Sequence, residues 1–415
     1  MDTAAPYHPH TLHHVCAPWF DHAVKLIYRT PAEGSMTVDG GTPIYLDHNA
    51  TTPLAPEALD AMLPFLRQDF GNPSSSHAYG RRARDAVDQA RQQVAGLLGC
   101  QAADLVFTGS GTEANNLAIA GALKGRTDGR QGLVNSVLEH PAVQEPMLDA
   151  AGFQLTRLPV DSAGVVEETA WRALVGPHTA LVSVMHANNE MGAIQPVRRL
   201  ADHAHSVGAL MHTDAAQSAG KVPVQVAELG VDLLTLVAHK FCGPKGVGAL
   251  FIRPGTPIHP LVLGAGHERG LRAGTENVCG IVGMGVACEL ARVRFSEDTA
   301  RLRSLRATLL QRLQARIPGL LVNGPPVEVL CNTLNVSFPG VSGAAVLRAA
   351  PQVAASTGSA CHGEEESTVL LAMGLPRDRA RGAVRLSLGR VTTEEDVERA
   401  ADHLAQAFQQ VHARG

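Results

Sequence analysis

From Ile44 onward short apolar runs rich in β-branched residues alternate with stretches whose apolar residues recur at helical spacing, and this alternation restricts the fold more than any other feature. The runs are "DLVFT" (104–108), "GLVNSV" (132–137), "ALVSVM" (180–185), "LMHTD" (210–214) and "DLLTLVAH" (232–239). Between them lie helical patterns such as Thr112–Gly125 and Val197–Gly208. In the first, Ala114, Leu117, Ala118, Gly121 and Ala122 form one apolar face. Strands that alternate with helices predict a mostly parallel sheet covered on both faces. Near Phe295 the pattern changes to a long charged helix, "EDTARLRSLRATLLQRLQARI", then to strand-like "NTLNVSF" and a last helix after "TTEEDVERA". The expected organisation is an N-terminal extension over 1–43, a large α/β domain over 44–294 and a smaller α+β domain over 295–415.

The extension differs from the rest. It places His8, His10, His13, His14 and His22 among prolines with little periodicity, so it reads as poorly ordered rather than as a metal-binding tract. Patterned sequence begins just after Met36, which marks that residue as a candidate start. A chain of 415 residues with 45% hydrophobic content is long enough for two domains. The net charge of −4, with both signs interspersed, gives no basic stripe for nucleic acid. No apolar run of ~18 residues and no secretory pattern is present, which predicts a soluble, cytoplasmic protein with no membrane partner. The cysteines Cys16, Cys100, Cys242, Cys279, Cys288, Cys331 and Cys361 contain no C-x-x-C pair, which argues against a disulfide framework and a structural metal site.

Ligands of such sheets sit outside the carboxyl ends of the strands. There "FTGSGTEANN" follows the strand at 104–108. Gly109 and Gly111 let the backbone approach an anion, and Thr112 with the free amides of the helix start suits a phosphate. The same G-x-G-x-x-A pattern is also a dinucleotide fingerprint, and a nicotinamide-dependent oxidoreductase would take Glu139 as its acidic partner, at a longer spacing than usual. Lysine is scarce here: only Lys25, Lys124, Lys221, Lys240 and Lys245. Lys240 directly follows a buried run, where a charged amine is costly. An amine held neutral is a nucleophile toward aldehydes, and pyridoxal phosphate is the cofactor that matches it. Upstream, Asp214 ends a strand and is placed to pair with a pyridinium nitrogen, with Gln217 three residues on. Phosphate cradle, carboxylate and lysine in this chain order make a pyridoxal site.

The motifs "YLDHNATTPL", "FGNPSSSHAYGRRAR", "GTEANNLAI", "LEHPAV", "VMHANNEMGAIQPV", "HTDAAQSAGK", "AHKFCGPKGVGAL", "ERGLRAGTENV", "STGSAC" and "VRLSLGRVTTEED" occur in this order. Through them the chain resembles the cysteine desulfurases of the class V aminotransferase group, fold-type I pyridoxal phosphate enzymes, from about Ile44 to about Val411. The resemblance implies a large domain with a mostly parallel seven-stranded sheet. It implies Lys240 as the Schiff-base lysine, Asp214 on the ring nitrogen and His140 stacked on the ring and moving protons. Asn189 and Gln217 would bond the ring oxygen; Gly111, Thr112 and His239 would hold the phosphate. Thr275 would reach the phosphate of the other subunit, which implies a homodimer. Arg385, with Asn189, would bind the substrate carboxylate. Cys361 would take sulfur from L-cysteine as a persulfide, leaving L-alanine, and pass it to a sulfur-acceptor protein for iron–sulfur cluster or thiolation chemistry. Selenocysteine lyases share nearly all of these motifs and form the alternative. Three positions depart from the pattern: Val237 stands where a phosphate-binding serine is frequent, His48 where an asparagine is frequent, and the segment after Cys361 is short.

Overall fold

A computed structural model describes residues 42–358 and 367–414 of the chain. The extension expected over residues 1–43, nearly all of it, and Cys361 lie outside the described residues. Ile44–Gly415 form one compact unit.

Strand β1 (Ile44–Tyr45) enters this unit. Seven strands then build the main sheet: β2 (Leu105–Thr108), β3 (Gly132–Ser136), β4 (Gln154–Leu158), β5 (Thr179–Ser183), β6 (Leu210–Asp214), β7 (Leu233–Val237) and β8 (Gly248–Ile252). Their order is β2-β8-β7-β6-β5-β3-β4. All run parallel except β8, which is antiparallel to both β7 and β2. The five apolar runs singled out in the sequence are all strands of this sheet. The other two strands escaped that reading for different reasons. β4 is an edge strand, "QLTRL", with only Leu158 buried, so it carries no apolar run. β8 lies within the glycine-rich "GVGALFI", where Gly248 meets the backbone of Ser110 and Leu236 too closely for a side chain. The helix predicted over Thr112–Gly125 is present as one helical path. It begins at Gly111 and changes to a π-helical turn over Leu117–Gly121.

A second core forms around β9 (Leu321–Asn323), β10 (Thr333–Ser337), β11 (Val353–Ala354) and β12 (Ala383–Ser387). β10 pairs antiparallel with β9 and β12, while β11 pairs in parallel with β1. Helices Phe295–Arg316 and Glu394–His412 cover it, burying Leu305, Leu309, Leu313, Val397, Leu404 and Phe408. Ile44 and Leu46 belong to this second core, and Val369, Leu370 and Ala383 to the first. A cut at 294 therefore leaves residues on both sides that pack with the opposite core. The chain crosses between the cores more than once, and short crossings leave no compositional mark.

Candidate active site

The sheet reverses its winding beside β3, since β4 lies on one side of it and β5 on the other. The segments at the carboxyl ends of β2, β3, β5, β6 and β7 supply Gly111, Thr112, His140, Asn189, Asp214, Gln217, His239 and Lys240, whereas Arg385 and Thr275 come from elsewhere.

Lys240 closes the turn Ala238–Lys240 after β7. Its Nζ donates to the carbonyl oxygens of Asn49 (2.7 Å) and Ala50 (2.8 Å). Burial, with Arg385 nearby, pushes the amine down to about 8, although Asp214 and Asp47 act in the other direction. A lysine so placed is partly neutral near neutral pH. Asp214 is buried at the end of β6, where Oδ2 accepts from Asn115 Nδ2 (2.8 Å) and Oδ1 from the amide of Ala216 (2.8 Å). Asn115 was not singled out in the sequence, although it belongs to the "GTEANN" helix start, three residues after Thr112.

His140 begins the helix Pro141–Leu148, and its Nδ1 accepts from the amide of Ala142 (3.1 Å). It is thus a helix cap as well as a candidate proton carrier. With Nδ1 an acceptor, the neutral ring carries its proton on Nε2. Burial pushes this imidazole below its ordinary value, opposed by Asp214 and reinforced by Lys240. The preceding residue, Glu139, is fully enclosed; burial raises its carboxyl to about 8 despite bonds from Ser136 Oγ (2.6 Å) and the amide of Met185 (2.9 Å). It braces the sheet and does not offer itself to a ribose, as the nicotinamide alternative requires.

Gly111 and Thr112 are the first residues of their helix, where amides lack acceptors within the helix. A Cβ on Gly111 would lie 3.1 Å from the Cβ of Val237, so the valine wall and the glycine face each other closely. Glu113 ties the turn down: it accepts from the amide of Gly109 (2.8 Å) and from Arg272 Nε (2.8 Å). His239 shares a hydrogen bond with Thr51 Oγ1 (3.1 Å), and burial beside Lys240 and Lys245 lowers it to about 4, which keeps it neutral at pH 7.

Asn49 joins these groups. Its carbonyl accepts from Lys240 and from Gln217 Nε2 (2.9 Å), its Oδ1 from Asn332 Nδ2 (3.1 Å) and Lys221 Nζ (3.4 Å). Its Nδ2 donates to Asn189 O (3.1 Å) and Thr333 Oγ1 (2.8 Å), and its amide to Ser387 Oγ (2.9 Å). Lys221 is a second buried amine: it donates to Gln217 Oε1 (3.1 Å), and burial lowers it to about 7. Neither Asn49 nor Lys221 was picked out from the sequence, because their partners lie mostly far along the chain.

Arg385 lies on β12 and is buried, its guanidinium donating to Asp47 Oδ1 (2.6 Å) and Asn189 O (3.1 Å) while Nε has no partner among the described residues. An arginine on a strand is commonly a surface residue; this one reaches the other core. Asn189 meets it through its carbonyl. Thr275 is exposed on the loop before the helix Val278–Val293, whose Glu276 and Asn277 line a small cleft with Thr108 and Gly109. Cys361 has no described position.

This donor set fits pyridoxal phosphate. A glycine-lined helix start suits the phosphate, the Asp214 carboxylate suits a ring nitrogen, and a partly neutral amine suits the aldehyde. Residues 44–400 match the family described as aminotransferase class-V. The chain is 44% identical to the cysteine desulfurase IscS of Dictyoglomus turgidum over 89% of this chain and 95% of that one. Among solved structures it resembles a NifS-like protein, with a TM-score of 0.84 and 37% identity over 89% of this chain and all (100%) of the other. It also resembles SspA, solved in complex with cysteine, with a TM-score of 0.74 and 34% identity over 84% of this chain and 99% of that one. The chain belongs to the class-V aminotransferase family, among its cysteine desulfurases.

Proposed function

We propose that this protein removes sulfur from L-cysteine with pyridoxal phosphate, yielding L-alanine and a persulfide on Cys361 that a sulfur-acceptor protein collects, and that it works as a homodimer completed through Thr275. The observation that carries this reading is the meeting of four groups close enough to feel one another's charge: His140 with Asp214 and Lys240, and Lys240 with Asp214 and Arg385. When bound, the cofactor supplies an aldehyde for the substrate amine and a sink for electrons from its α-carbon. Asp214, fixed by Asn115 and Ala216, keeps a proton on the ring nitrogen. Gly111, Thr112 and neutral His239 bind the phosphate, and Gln217 reaches the ring oxygen.

Arg385 orients the substrate carboxylate through its Nε, which has no partner among the described residues, and the donors now shared with Asp47 and Asn189. With a pKa of about 8, roughly a tenth of Lys240 is neutral at pH 7, enough to accept the proton of the substrate α-carbon. His140 moves a proton at Nε2. The Cys361 thiolate then forms a bond to the substrate sulfur, whose bond to Cβ breaks. The electron pair stays with carbon, a proton completes the methyl group of alanine, and the enzyme keeps the S–SH group. No external oxidant enters.

The test is alanine release from cysteine and from selenocysteine by wild type and Cys361→Ala, with mass spectrometry of the Cys361 peptide. A carbon–selenium bond is weaker and a selenol more acidic, so selenium departs with less help from a thiolate. Cys361→Ala is expected to lose cysteine turnover, keep measurable selenocysteine turnover and accumulate no persulfide. Wild type that ignores cysteine but processes selenocysteine makes lyase the better reading. Undiminished cysteine turnover by Cys361→Ala refutes the role of this thiol.

A further inference from the structure

Lys221 is a buried amine that the chemistry above does not use. It lies in the turn that follows β6, four residues after Gln217. Main-chain bonds close this turn, from Ser218 N to Ala215 O and from Lys221 N to Ser218 O (both 2.9 Å). Gly220, at a φ of +71° that favours glycine, lets the chain bend just before the lysine. From the second core the thiol of Cys331 donates to the carbonyl of Lys221 (3.9 Å). The main chain at this point is therefore held from both cores. Burial lowers the amine to about 7; of the charges around it Cys331 and Cys242 act upward, Lys240 and Arg385 downward. Burial and the charge of Lys221 hold the neighbouring His48 at about 4, so that ring stays neutral.

The Lys221 side chain donates from Nζ to Gln217 Oε1 (3.1 Å) and to Asn49 Oδ1 (3.4 Å). A side-chain amide has an oxygen end and a nitrogen end of nearly equal shape, so packing alone does not choose between its two orientations. A lysine ammonium has three donors and no acceptor, so it tolerates only the oxygen end. With Oε1 held by Lys221, Nε2 of Gln217 is the end that donates to the main-chain carbonyl of Asn49 (2.9 Å), which also receives Lys240 Nζ (2.7 Å). The Asn49 side chain is set in the same way. Its Oδ1 receives Lys221 and Asn332 Nδ2 (3.1 Å), which leaves Nδ2 for Asn189 O (3.1 Å) and Thr333 Oγ1 (2.8 Å). Lys221 thus orients both amides around the carbonyl on which Lys240 rests. Donation into Oε1 also polarises the Gln217 amide and makes its N–H the stronger donor.

We propose that Lys221 is a positioning residue for the cofactor: it holds Gln217 Oε1, so that the second N–H of Gln217 Nε2 is presented to the ring oxygen of pyridoxal phosphate beside Lys240. The inference rests on the reading of Gln217 as the donor to that oxygen. An amide turned the other way would set an acceptor against it. A donor fixed in advance costs no reorganisation when the cofactor binds, whereas one left to rotate does.

The experiment titrates cofactor-free wild type, Lys221→Met, Gln217→Leu and the double variant with two probes, followed by absorbance at pH 6, where wild-type Lys221 carries its charge. The probes are pyridoxal phosphate and its 3-deoxy analogue, which lacks the ring oxygen. Methionine keeps the length and apolar stem of Lys221 without its donors. Lys221→Met is expected to weaken pyridoxal phosphate about tenfold, as for one lost hydrogen bond, and the analogue by less than about twofold. Gln217→Leu is expected to show the same preference between probes, and adding Lys221→Met to it no further change in that preference, because the lysine acts through this amide. A lysine that only supports the fold would weaken both probes alike. Equal losses on both probes in Lys221→Met, no loss on either, or a further change of preference in the double variant overturns the proposal. Should Lys221→Met fail to fold, Lys221→Gln, whose end both donates and accepts, must show the same split between probes. Gln217→Leu separates the failures: if that variant alone weakens both probes equally or neither, the reading of Gln217 has failed, whatever Lys221 does.

Discussion

Replacing Lys240 by methionine is expected to change stability in a pH-dependent way that follows from where the amine sits. The side chain is held among Asn49, Ala50, Asp214, Asp47 and Arg385, and its pKa falls from 10.5 to about 8. Where both folded and unfolded chains carry the charge, below pH 8, that fall costs folding about 3 kcal/mol. As the pH rises the folded amine loses its proton first, so the cost shrinks to about 1 kcal/mol at pH 10 and vanishes above the unfolded value. Methionine keeps the length and apolar stem without the charge. It also strips a donor from the carbonyls of Asn49, which keeps Gln217 Nε2, and of half-buried Ala50, a loss of about 1–2 kcal/mol in total that does not depend on pH. The variant therefore gains about 2 kcal/mol on wild type between pH 10 and pH 7, whatever its absolute rank. Denaturant unfolding of both cofactor-free proteins at the two pH values measures this directly. A difference between the proteins that stays constant within ~0.5 kcal/mol would show that the amine is not held in a low-pKa environment, and the argument for its nucleophilicity would fall with it.

Two further substitutions test the site from its other sides. Val237→Ser places a hydroxyl opposite Gly111 and the helix start, and it is expected to tighten pyridoxal phosphate about fivefold, the equivalent of one net hydrogen bond, while the lost methyl groups lower stability by about 1–2 kcal/mol; titration of cofactor-free protein by absorbance checks the first and thermal melting the second, and unchanged affinity means that another donor already serves. His140→Asn keeps a side chain suited to cap the helix at Pro141 but removes the imidazole, so stability is expected to stay within ~0.5 kcal/mol while alanine formation falls about a hundredfold; equal losses in both would make His140 a structural cap alone.

The parts of the molecule that were legible in the sequence are those whose physics is local. A five-residue run such as "LLTLV" is buried on both faces and reads as a central strand without help from its neighbours. Gly111 and Lys240 could be found because a glycine turn and a scarce lysine stand at the ends of such runs. Asn49, by contrast, has three partners at Thr333, Ser387 and Asn332 in the second core, and its importance exists only after the chain has folded. Lys221 follows a glycine in "SAGKVP" and looks like a surface residue; it is buried because Gln217 and Asn49 turn toward it. Glu139 was legible as an acid after a strand, but its direction was not: it points into the sheet at Met185.

Among the described residues several buried polar atoms have no partner, some far from the strand ends, such as Trp171 Nε1, and some beside the residues assigned to the site. Asn115 Oδ1, His186 Nδ1 and Arg385 Nε are each enclosed and have no partner among the described residues, and they stand beside Asp214, the strand end before Asn189, and Asp47. An unpaired buried group costs about 1–3 kcal/mol. A fold selected for stability alone would pair these atoms or replace them with apolar ones. Their neighbours are fully bonded: Asn49 uses every polar atom it has, and Asp214 is held at both oxygens. Rigid, satisfied residues thus carry a few unsatisfied ones at the carboxyl ends of the strands. That is the division expected of a preorganised site, where the supporting groups are fixed in advance and the remaining donors and acceptors are aimed at what binds.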